Sequence, residues 1–67
     1  MKVEIGERIK HWRKEKSMTQ DALAKKADIP YTTLAKIEAG LVMNPRMDTL
    51  IKVAAGLEIT IDELIKE

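Results

Sequence analysis

This sequence of 67 residues contains no cysteine and no phenylalanine, and it has only one tryptophan, one tyrosine and one histidine. The lack of cysteine excludes disulfide bonds and thiolate metal sites, which suits a reducing compartment. The lack of phenylalanine means that the core must be built from aliphatic side chains. The single histidine, His11, lies on a charged stretch and cannot supply the three or four ligands of a metal site. We therefore expect no metal and no cofactor.

Long apolar segments and glycine-rich loops are also missing. No stretch approaches the roughly 20 apolar residues of a membrane span, and the charged N-terminal segment lacks the apolar run of a signal peptide. The three glycines lie too far apart for a phosphate-binding loop, and no nucleophile motif is present. These absences predict a cytoplasmic protein that is not an enzyme.

The composition is that of a small folded helical protein. Hydrophobic residues make up 45% of the chain and charged residues 34%, which is typical of a globular rather than a disordered sequence. Residues 1–40 carry nine Lys/Arg and six Asp/Glu, whereas residues 41–67 carry three and five. The more basic part of the chain is the part that would face a polyanion such as nucleic acid.

Residues 19–40 read as two short amphipathic helices joined by a tight turn at residues 27–29. Both helices carry apolar residues at helical spacing: Ala22, Leu23 and Ala27 in the first, and Leu34, Ala35 and Ile37 in the second. A turn this short makes the two helices cross steeply instead of running antiparallel. This pattern predicts a helix-turn-helix, whose second helix can enter the major groove of DNA.

Start and stop signals divide the whole chain into five helices. The first covers about residues 4–16, and the second follows Thr19, a good N-cap. The third starts at Pro30 or Tyr31 and ends at Gly40, which can take the left-handed conformation. Residues 41–47 read as a loop because Asn44 precedes a proline.

The last two helices complete the prediction of one all-α domain covering residues 1–67. Helix 4 is expected to begin after Asp48 as N-cap. Helix 5 is expected to follow Thr60, which forms a capping box with Glu63. The residues of helix 4 predicted to pack inward are Leu50, Ile51, Val53, Ala54 and Leu57.

An ordered series of residues runs through nearly the whole chain. Its members are Ile5-Gly6-Glu7-Arg8-Ile9, Met18-Thr19-Gln20, Leu23-Ala24, Ile29, Thr33-Leu34, Ile37-Glu38, Gly40, Asn44-Pro45, Thr49-Leu50, Ala54, Leu57 and Thr60-Ile61-Asp62-Glu63-Leu64. With this series, the chain resembles the Cro and phage-repressor family of helix-turn-helix proteins, also called xenobiotic-response-element-like regulators. The resemblance implies a compact, lambda-repressor-like five-helix domain that binds double-stranded DNA as a small transcriptional repressor.

Four positions depart from the family pattern. Family members usually have glycine where this chain has Ser17, Asp28 and Glu58, at helix ends where a left-handed residue is common. Asp tolerates that conformation fairly well, whereas Ser and Glu each cost roughly 1 kcal/mol. Gly56 lies inside helix 4, where the family usually has Ala, and it costs about 1 kcal/mol unless another backbone packs against it.

Three residues near the start of helix 3 are the candidates for contact with base edges. In a helix-turn-helix, side chains at this place reach into the major groove. Thr32 can form one hydrogen bond and contact a thymine methyl group, and Lys36 can donate to O6 and N7 of guanine. Tyr31 can stack on a sugar, touch a thymine methyl group or bond a phosphate. Outside such a motif, the three would be an ordinary solvated helix face.

The resemblance also implies a set of backbone contacts and one structural ion pair. Gln20 is expected to bond a phosphate and to brace the start of helix 3, while Thr33 contacts phosphate or packs beneath it. Asn44 and Arg46 lie in the loop that clamps the DNA backbone in relatives. The basic residues that relatives carry in this loop are replaced here by Leu41, Val42 and Met43. The pair Arg13 and Glu38 is expected to join helices 1 and 3.

The C-terminal third has more apolar residues than one small core face needs. Ile59 and Ile65, together with Leu57 or Ile61, are predicted to cover a second copy, so that a homodimer binds a palindromic operator. The alternative is that helix 5 only closes the core. The second function considered is an antitoxin-like or adaptor module, in which residues 41–43 or helix 5 dock a protein such as a toxin.

Overall fold

The computed structural model describes residues 4–66. Five helices follow one another: α1 (Ile5–Glu15), α2 (Gln20–Ala27), α3 (Tyr31–Glu38), α4 (Met47–Leu57) and α5 (Ile61–Ile65). No strand occurs in this part of the chain, and the predicted all-α class and the order of five helices are confirmed. Residues 1–3 and 67 of the predicted domain lie outside the described residues. No helix within residues 4–66 has both the length and the hydropathy to cross a bilayer.

Two helices begin with the side-chain caps that the sequence predicts. The Thr19 hydroxyl accepts a hydrogen bond from the Ala22 N–H at 3.1 Å. At α5, Thr60 Oγ1 accepts from the Glu63 N–H at 3.0 Å, and the Glu63 carboxylate accepts from the Thr60 N–H at 2.9 Å. These caps satisfy N–H groups that would otherwise lack partners, and they fix where α2 and α5 start.

Left-handed residues end three of the helices, although none of the three is glycine. The φ angle is 55° at Ser17, 59° at Asp28 and 61° at Glu58. The chain therefore makes the same kind of turn for which relatives use glycine, at the cost of some backbone strain. Gly40, with φ 83°, follows α3 in the left-handed conformation that the sequence predicts.

The core is aliphatic, and every helix contributes to it. Leu64 from the short α5 is fully buried, as are Ile9 of α1 and Leu34 of α3. Trp12 packs against the edge of this cluster. The buried apolar residues are Ile9, Leu23, Ala24, Ala27, Leu34, Ile37, Leu50, Val53, Ala54, Leu57 and Leu64.

The predicted start of helix 4 is wrong by two residues. The helix begins at Met47, and its N-cap is Arg46 instead of Asp48. Arg46 has extended backbone angles, and its carbonyl accepts the first helical hydrogen bond, from the Leu50 N–H at 3.1 Å. The prediction chose Asp48 by side-chain type, whereas the backbone turns into the helix earlier. Asp48 lies in the first turn, where its carboxylate still interacts favourably with the helix dipole.

Two apolar residues lie elsewhere than predicted, and a third fits only one of its two predicted roles. Ile51 is 52% exposed, because the inward face of α4 is already formed by residues 50, 53, 54 and 57. Leu57 is only 1% exposed, so it packs inward as predicted for helix 4 and cannot also be the dimer contact that the sequence offered. In α2, Ala22 is exposed, and Ala24 is buried in its place.

Two glycines allow helices to approach closely. A Cβ atom on Gly6 would overlap the carbonyl oxygen of Ile37 and lie 3.2 Å from that of Glu38. The backbone of α1 therefore packs directly on the last turn of α3. A Cβ atom on Gly56 would lie 3.1 Å from both the Cβ and the backbone nitrogen of Ala27. The backbone of α2 thus packs against the glycine that departs from the family pattern.

Side chains from the N-terminal half hold the C-terminal end of the fold. The Arg8 guanidinium donates to the carbonyls of Glu63 at 2.9 Å and of Leu64 at 3.1 Å. The Trp12 indole N–H donates to the Glu63 carbonyl at 3.3 Å. These carbonyls belong to the last turn of α5 and have no helical partner of their own. The short helix is therefore fastened to α1.

An exposed ion pair joins α2 to the turn after α4. Lys26 Nζ lies 2.6 Å from a carboxylate oxygen of Glu58. The hydrogen bond from Lys26 and its positive charge lower the pKa of Glu58 below its ordinary value. A lowered carboxylate pKa means that the pair stabilises the fold at neutral pH, and that this contribution is lost as the pH falls through the folded-state pKa.

Replacing Gly6 with alanine is expected to destabilise the protein, although alanine is the better helix former. The added methyl group would meet backbone carbonyls of α3, which cannot rotate away as a side chain can. We expect a loss of about 1–3 kcal/mol in the free energy of unfolding, measured by urea denaturation. Gly56→Ala is the graded comparison and should cost less, because its methyl group would lie 3.1 Å from the Cβ and the backbone nitrogen of Ala27 without overlapping either atom. A stabilising Gly6→Ala would contradict the close packing of α1 on α3.

Candidate nucleic-acid interface

One face of α3 is exposed and polar, and the opposite face is buried. Tyr31, Thr32 and Lys36 are all exposed, and we refer to these three residues as the α3 face. Thr32 and Lys36 are four residues apart, so they project from the same side of the helix. The structure thus brings together the three side chains that the sequence nominates for base contact. Leu34 and Ile37 anchor the helix in the core from the other side.

A buried carboxylate lies at the last residue of α3. Glu38 is 4% exposed, and it receives a bidentate bond from the Arg13 guanidinium, with N–O distances of 2.9 and 3.1 Å. The Gln20 side-chain amide donates a third bond to Glu38 at 3.1 Å. A charge taken out of water needs such partners. Within residues 4–66, every buried side-chain nitrogen or oxygen atom has a hydrogen-bond partner.

The same network reaches the start of α3. The Tyr31 hydroxyl donates to the side-chain oxygen of Gln20 at 3.2 Å, so both ends of the Gln20 amide are bonded. Arg13 also donates to the Met18 carbonyl at 2.9 Å, in the connection between α1 and α2. We refer to Arg13, Glu38, Gln20 and Tyr31 as the brace. The brace connects the first residues of α2 and α3 to the last residue of α3. Through Arg13, it also connects them to α1.

Beside the α3 face, three of the predicted backbone contacts meet at one shallow cavity. Thr33, Asn44 and Arg46 line it, and its volume is about 210 Å³. The other lining residues are Ile37, Val42, Pro45 and Thr49. The lining of the cavity therefore combines apolar and polar side chains, a combination that suits a sugar with its phosphate. Thr49 is a lining residue to which the sequence assigned no role, although it belongs to the series that carries the family resemblance.

The two cations of this surface differ in their surroundings. Lys36 forms no ion pair with any other described residue. Arg46 lies 3.3 Å from a carboxylate oxygen of Asp48, and the two side chains are 85% and 63% exposed. The guanidinium stands at the N-cap of α4, at the edge of the cavity. Sequence reasoning did not detect this pair, because it took Asp48 for a helix cap.

The loop after α3 turns in a fixed way. The N–H of Leu41 donates to the Lys36 carbonyl at 2.9 Å, and the N–H of Gly40 donates to the Ile37 carbonyl at 3.1 Å. These two bonds form a Schellman turn. Leu41 and Met43 are 76% and 65% exposed, whereas Val42 packs against the core. Two apolar side chains therefore stand in water next to the α3 face.

The remaining candidates for a dimer contact are only partly available. Ile59 and Ile61 are half-buried and pack against the core, and Ile65 is 37% exposed. More apolar surface lies on α4, where Met47 and Ile51 are 59% and 52% exposed and stand one turn apart. The sequence missed this pair because it assigned residue 47 to the loop and residue 51 to the core. Within residues 4–66, no three potential metal-ligating side chains come together.

Comparison with known proteins agrees with this arrangement. The helix-turn-helix family model matches residues 9–64. The transcriptional regulator SinR of Bacillus subtilis is 41% identical over 63 residues, which cover 94% of this chain and 57% of that protein. The immunity repressor of Bacillus phage phi105 is 41% identical over 63 residues, which cover 94% of this chain and 43% of that protein. The chain belongs to the helix-turn-helix family, and the predicted family is confirmed.

Solved structures support the fold in the same way. A crystal structure of SinR in complex with DNA matches with a TM-score of 0.87 and 40% identity, over 92% of this chain and 98% of that one. The chain spans about half the length of the two regulators described above. The comparisons therefore concern the helix-turn-helix domain and not the rest of those longer proteins.

Removing either partner of the buried ion pair is expected to destabilise the protein. Arg13→Ala or Glu38→Ala leaves a buried polar group without its main partner, which typically costs about 3–5 kcal/mol. The double variant should lose less than the sum of the single losses, because the second substitution removes the group that the first one orphaned. Urea denaturation of the four proteins gives the coupling energy. Additive losses would show that the pair does not contribute as a unit.

Proposed function

We propose that this protein is a transcriptional repressor that binds double-stranded DNA in a sequence-specific way, with α3 in the major groove. The observation that carries the proposal is the α3 face, exposed on a helix whose start and end are both fixed by the brace. The helix-turn-helix family and the regulators it includes support the proposal. Occupation of an operator would repress transcription by covering a promoter.

Base recognition falls to Thr32 and Lys36 in this proposal. Thr32 offers one hydrogen bond and a methyl group for thymine, and Lys36 offers an ammonium group for the acceptors of guanine. Of the three contacts considered for Tyr31, a bond to phosphate would compete with the hydrogen bond that its hydroxyl donates to Gln20. The ring then remains available for a sugar or a thymine methyl group. A helix that does not need to be ordered on binding avoids part of the entropic cost of association.

Backbone contacts come from the cavity beside the α3 face. Arg46 offers the charge for a phosphate, while Thr33, Asn44 and Thr49 offer neutral hydrogen bonds. Gln20 can contribute only in part, because its amide is engaged with Glu38 and Tyr31. Because Arg46 is the one cation in the loop after α3, where the family pattern has several, we expect this loop to hold the DNA backbone weakly. Contacts of this kind hold the protein in register without reading the sequence.

A homodimer on a palindromic operator completes the proposal. One domain of this size reaches few base pairs, and two copies double the number of contacts. Ile59, Ile61 and Ile65 remain the proposed contact, with Leu57 withdrawn because it is buried. The exposed pair Met47 and Ile51 on α4 adds apolar surface that a second copy can cover.

The experiment that tests this function measures binding to DNA as a function of salt. Phosphate contacts release counterions, so log K should fall against log salt with a slope near −0.9 per neutralised phosphate. We expect a clear decrease between about 50 and 200 mM salt, measured by gel shift or fluorescence anisotropy on sites selected from random duplexes. A protein that selects no site, or binds independently of salt, is not a DNA-binding regulator of this kind.

The variants Lys36→Ala and Arg46→Ala should separate base reading from anchoring. Lys36→Ala is expected to cost about 1–3 kcal/mol on the preferred site and to relax discrimination at one base pair per half-site. Arg46→Ala should weaken binding to all sequences nearly equally and reduce the salt slope by about one per protomer. Site-selection profiles of both variants provide the measurement.

Lys52→Ala is the matched control for the loss of one charge, because Lys52 is exposed on α4 outside the α3 face and the cavity. It should leave the profile unchanged. Our orientation of α3 is wrong if Arg46→Ala reshapes the profile at major-groove positions while Lys36→Ala does not.

A second function is favoured by the exposed side chains of Leu41 and Met43. Two large apolar side chains exposed on one short loop can mark a protein contact. In this alternative, the chain is an antitoxin-like or adaptor module, and the loop docks a protein. Leu41→Ser would then abolish capture of the protein partner and leave the DNA profile unchanged, which distinguishes the two functions.

A further inference from the structure

The cation proposed to clamp the DNA backbone already has a counterion on its own chain. Arg46 Nε lies 3.3 Å from Oδ1 of Asp48, and both side chains are mostly exposed. The same carboxylate oxygen accepts a hydrogen bond from the Thr49 N–H at 2.9 Å. Asp48 is therefore held at the first turn of α4, next to Arg46 and Thr49, which line the cavity. Its negative charge lies beside the guanidinium that is proposed to bind a DNA phosphate.

A phosphate that binds Arg46 has to compete with this carboxylate. The carboxylate and the phosphate draw on the same guanidinium, and a positive charge shared between two anions attracts each of them less strongly. The phosphate must displace Asp48 from the guanidinium or share the guanidinium with it. Either way, part of the attraction between Arg46 and DNA is offset before binding begins.

We propose that Asp48 is a positioning residue that limits DNA affinity by holding the charge of Arg46 in the free protein. The inference rests on the proposed function, and it assigns to Asp48 a role that neither the helix cap nor the family resemblance supplies. Asp48 sets how tightly the backbone is held, while the α3 face sets which bases are read. A repressor with a weak clamp leaves non-specific DNA quickly, because non-specific binding depends almost wholly on phosphate contacts.

The opposite role would be orientation, in which Asp48 aims the guanidinium at the phosphate. The geometry favours a brake over orientation. The Arg13–Glu38 pair shows what fixes a guanidinium in this protein: two bonds of 2.9 and 3.1 Å in a nearly buried setting. The Arg46–Asp48 pair has one contact of 3.3 Å in water. Such exposed pairs hold side chains weakly, so orientation gains little, while the carboxylate still competes with the phosphate for the guanidinium.

The test is the variant Asp48→Asn, made both with Arg46 and with Arg46→Ala. Asparagine keeps the shape of the side chain and an oxygen for the Thr49 N–H, and it removes the charge. We expect Asp48→Asn to bind a pool of random-sequence duplexes and the selected site more tightly, by roughly twofold to fivefold per protomer. The salt dependence should become steeper, because Arg46 then neutralises a phosphate more fully and releases more of the cation condensed on it. In the Arg46→Ala background the gain should disappear.

Asp62→Asn is the matched control. Asp62 is exposed in the first turn of α5, as Asp48 is in α4. The substitution Asp62→Asn makes the same change in net charge, at a residue that does not line the cavity. It should leave affinity nearly unchanged. Thermal unfolding of all variants, followed by circular dichroism, checks that each is folded at the temperature of the binding assay.

The outcomes separate the brake from its alternatives. Unchanged or weaker binding by Asp48→Asn overturns the inference, and weaker binding assigns orientation to Asp48 instead. A gain that persists with Arg46→Ala also overturns it, since the effect then comes from general charge repulsion. If the unaltered protein binds none of the duplexes, the proposed function fails and the brake fails with it. If the unaltered protein binds and selects a site while Asp48→Asn has no effect, only the brake fails.

Discussion

A carboxylate buried at the end of α3 governs how the α3 face is held. Glu38 is almost wholly removed from water, and a charge in that position must be compensated by partners from other helices. Arg13 supplies the opposite charge from α1, and Gln20 supplies a neutral donor from α2. Because Gln20 also holds Tyr31, one buried charge connects three helices and both ends of α3. The orientation of the α3 face therefore depends on a charge that lies inside the protein, away from the surface proposed to meet DNA.

Most helices of this protein could be predicted from the types of residue at their ends. The start of α4 could not, because there the backbone conformation sets the boundary. Thr19 and Thr60 begin helices through their own hydroxyl groups, so residue type was enough. At α4, the polypeptide turns at Arg46, and no side-chain signal marks that turn. The prediction that Ile51 packs inward was wrong for a different reason. The inward face of the eleven-residue helix α4 is narrow, so not every apolar residue of the helix can lie on it.

Part of the candidate interface could also be predicted from the sequence, and part of it could not. Tyr31, Thr32 and Lys36 share a face because helical spacing alone puts them there, and that could be read from the sequence. The pairs Arg46 with Asp48 and Lys26 with Glu58 could not be read, because nothing in either segment specifies a partner. The second pair joins residues 32 positions apart. Composition and periodicity therefore predict the α3 face. The Arg46–Asp48 pair depends on how the backbone turns into α4, and the Lys26–Glu58 pair depends on how α2 packs against the end of α4.

The bonds from Arg8 and Trp12 to the last turn of α5 have a consequence for how the molecule comes apart. A five-residue helix has no stability of its own in water, so α5 depends on its packing against α1 and α4 and on these bonds to α1. The residues joined by the closest of these bonds are 55 positions apart in the chain. Fraying from the C-terminal side is thereby tied to the opening of the first helix, and the two ends of the described chain should lose their amide-exchange protection together rather than one after the other.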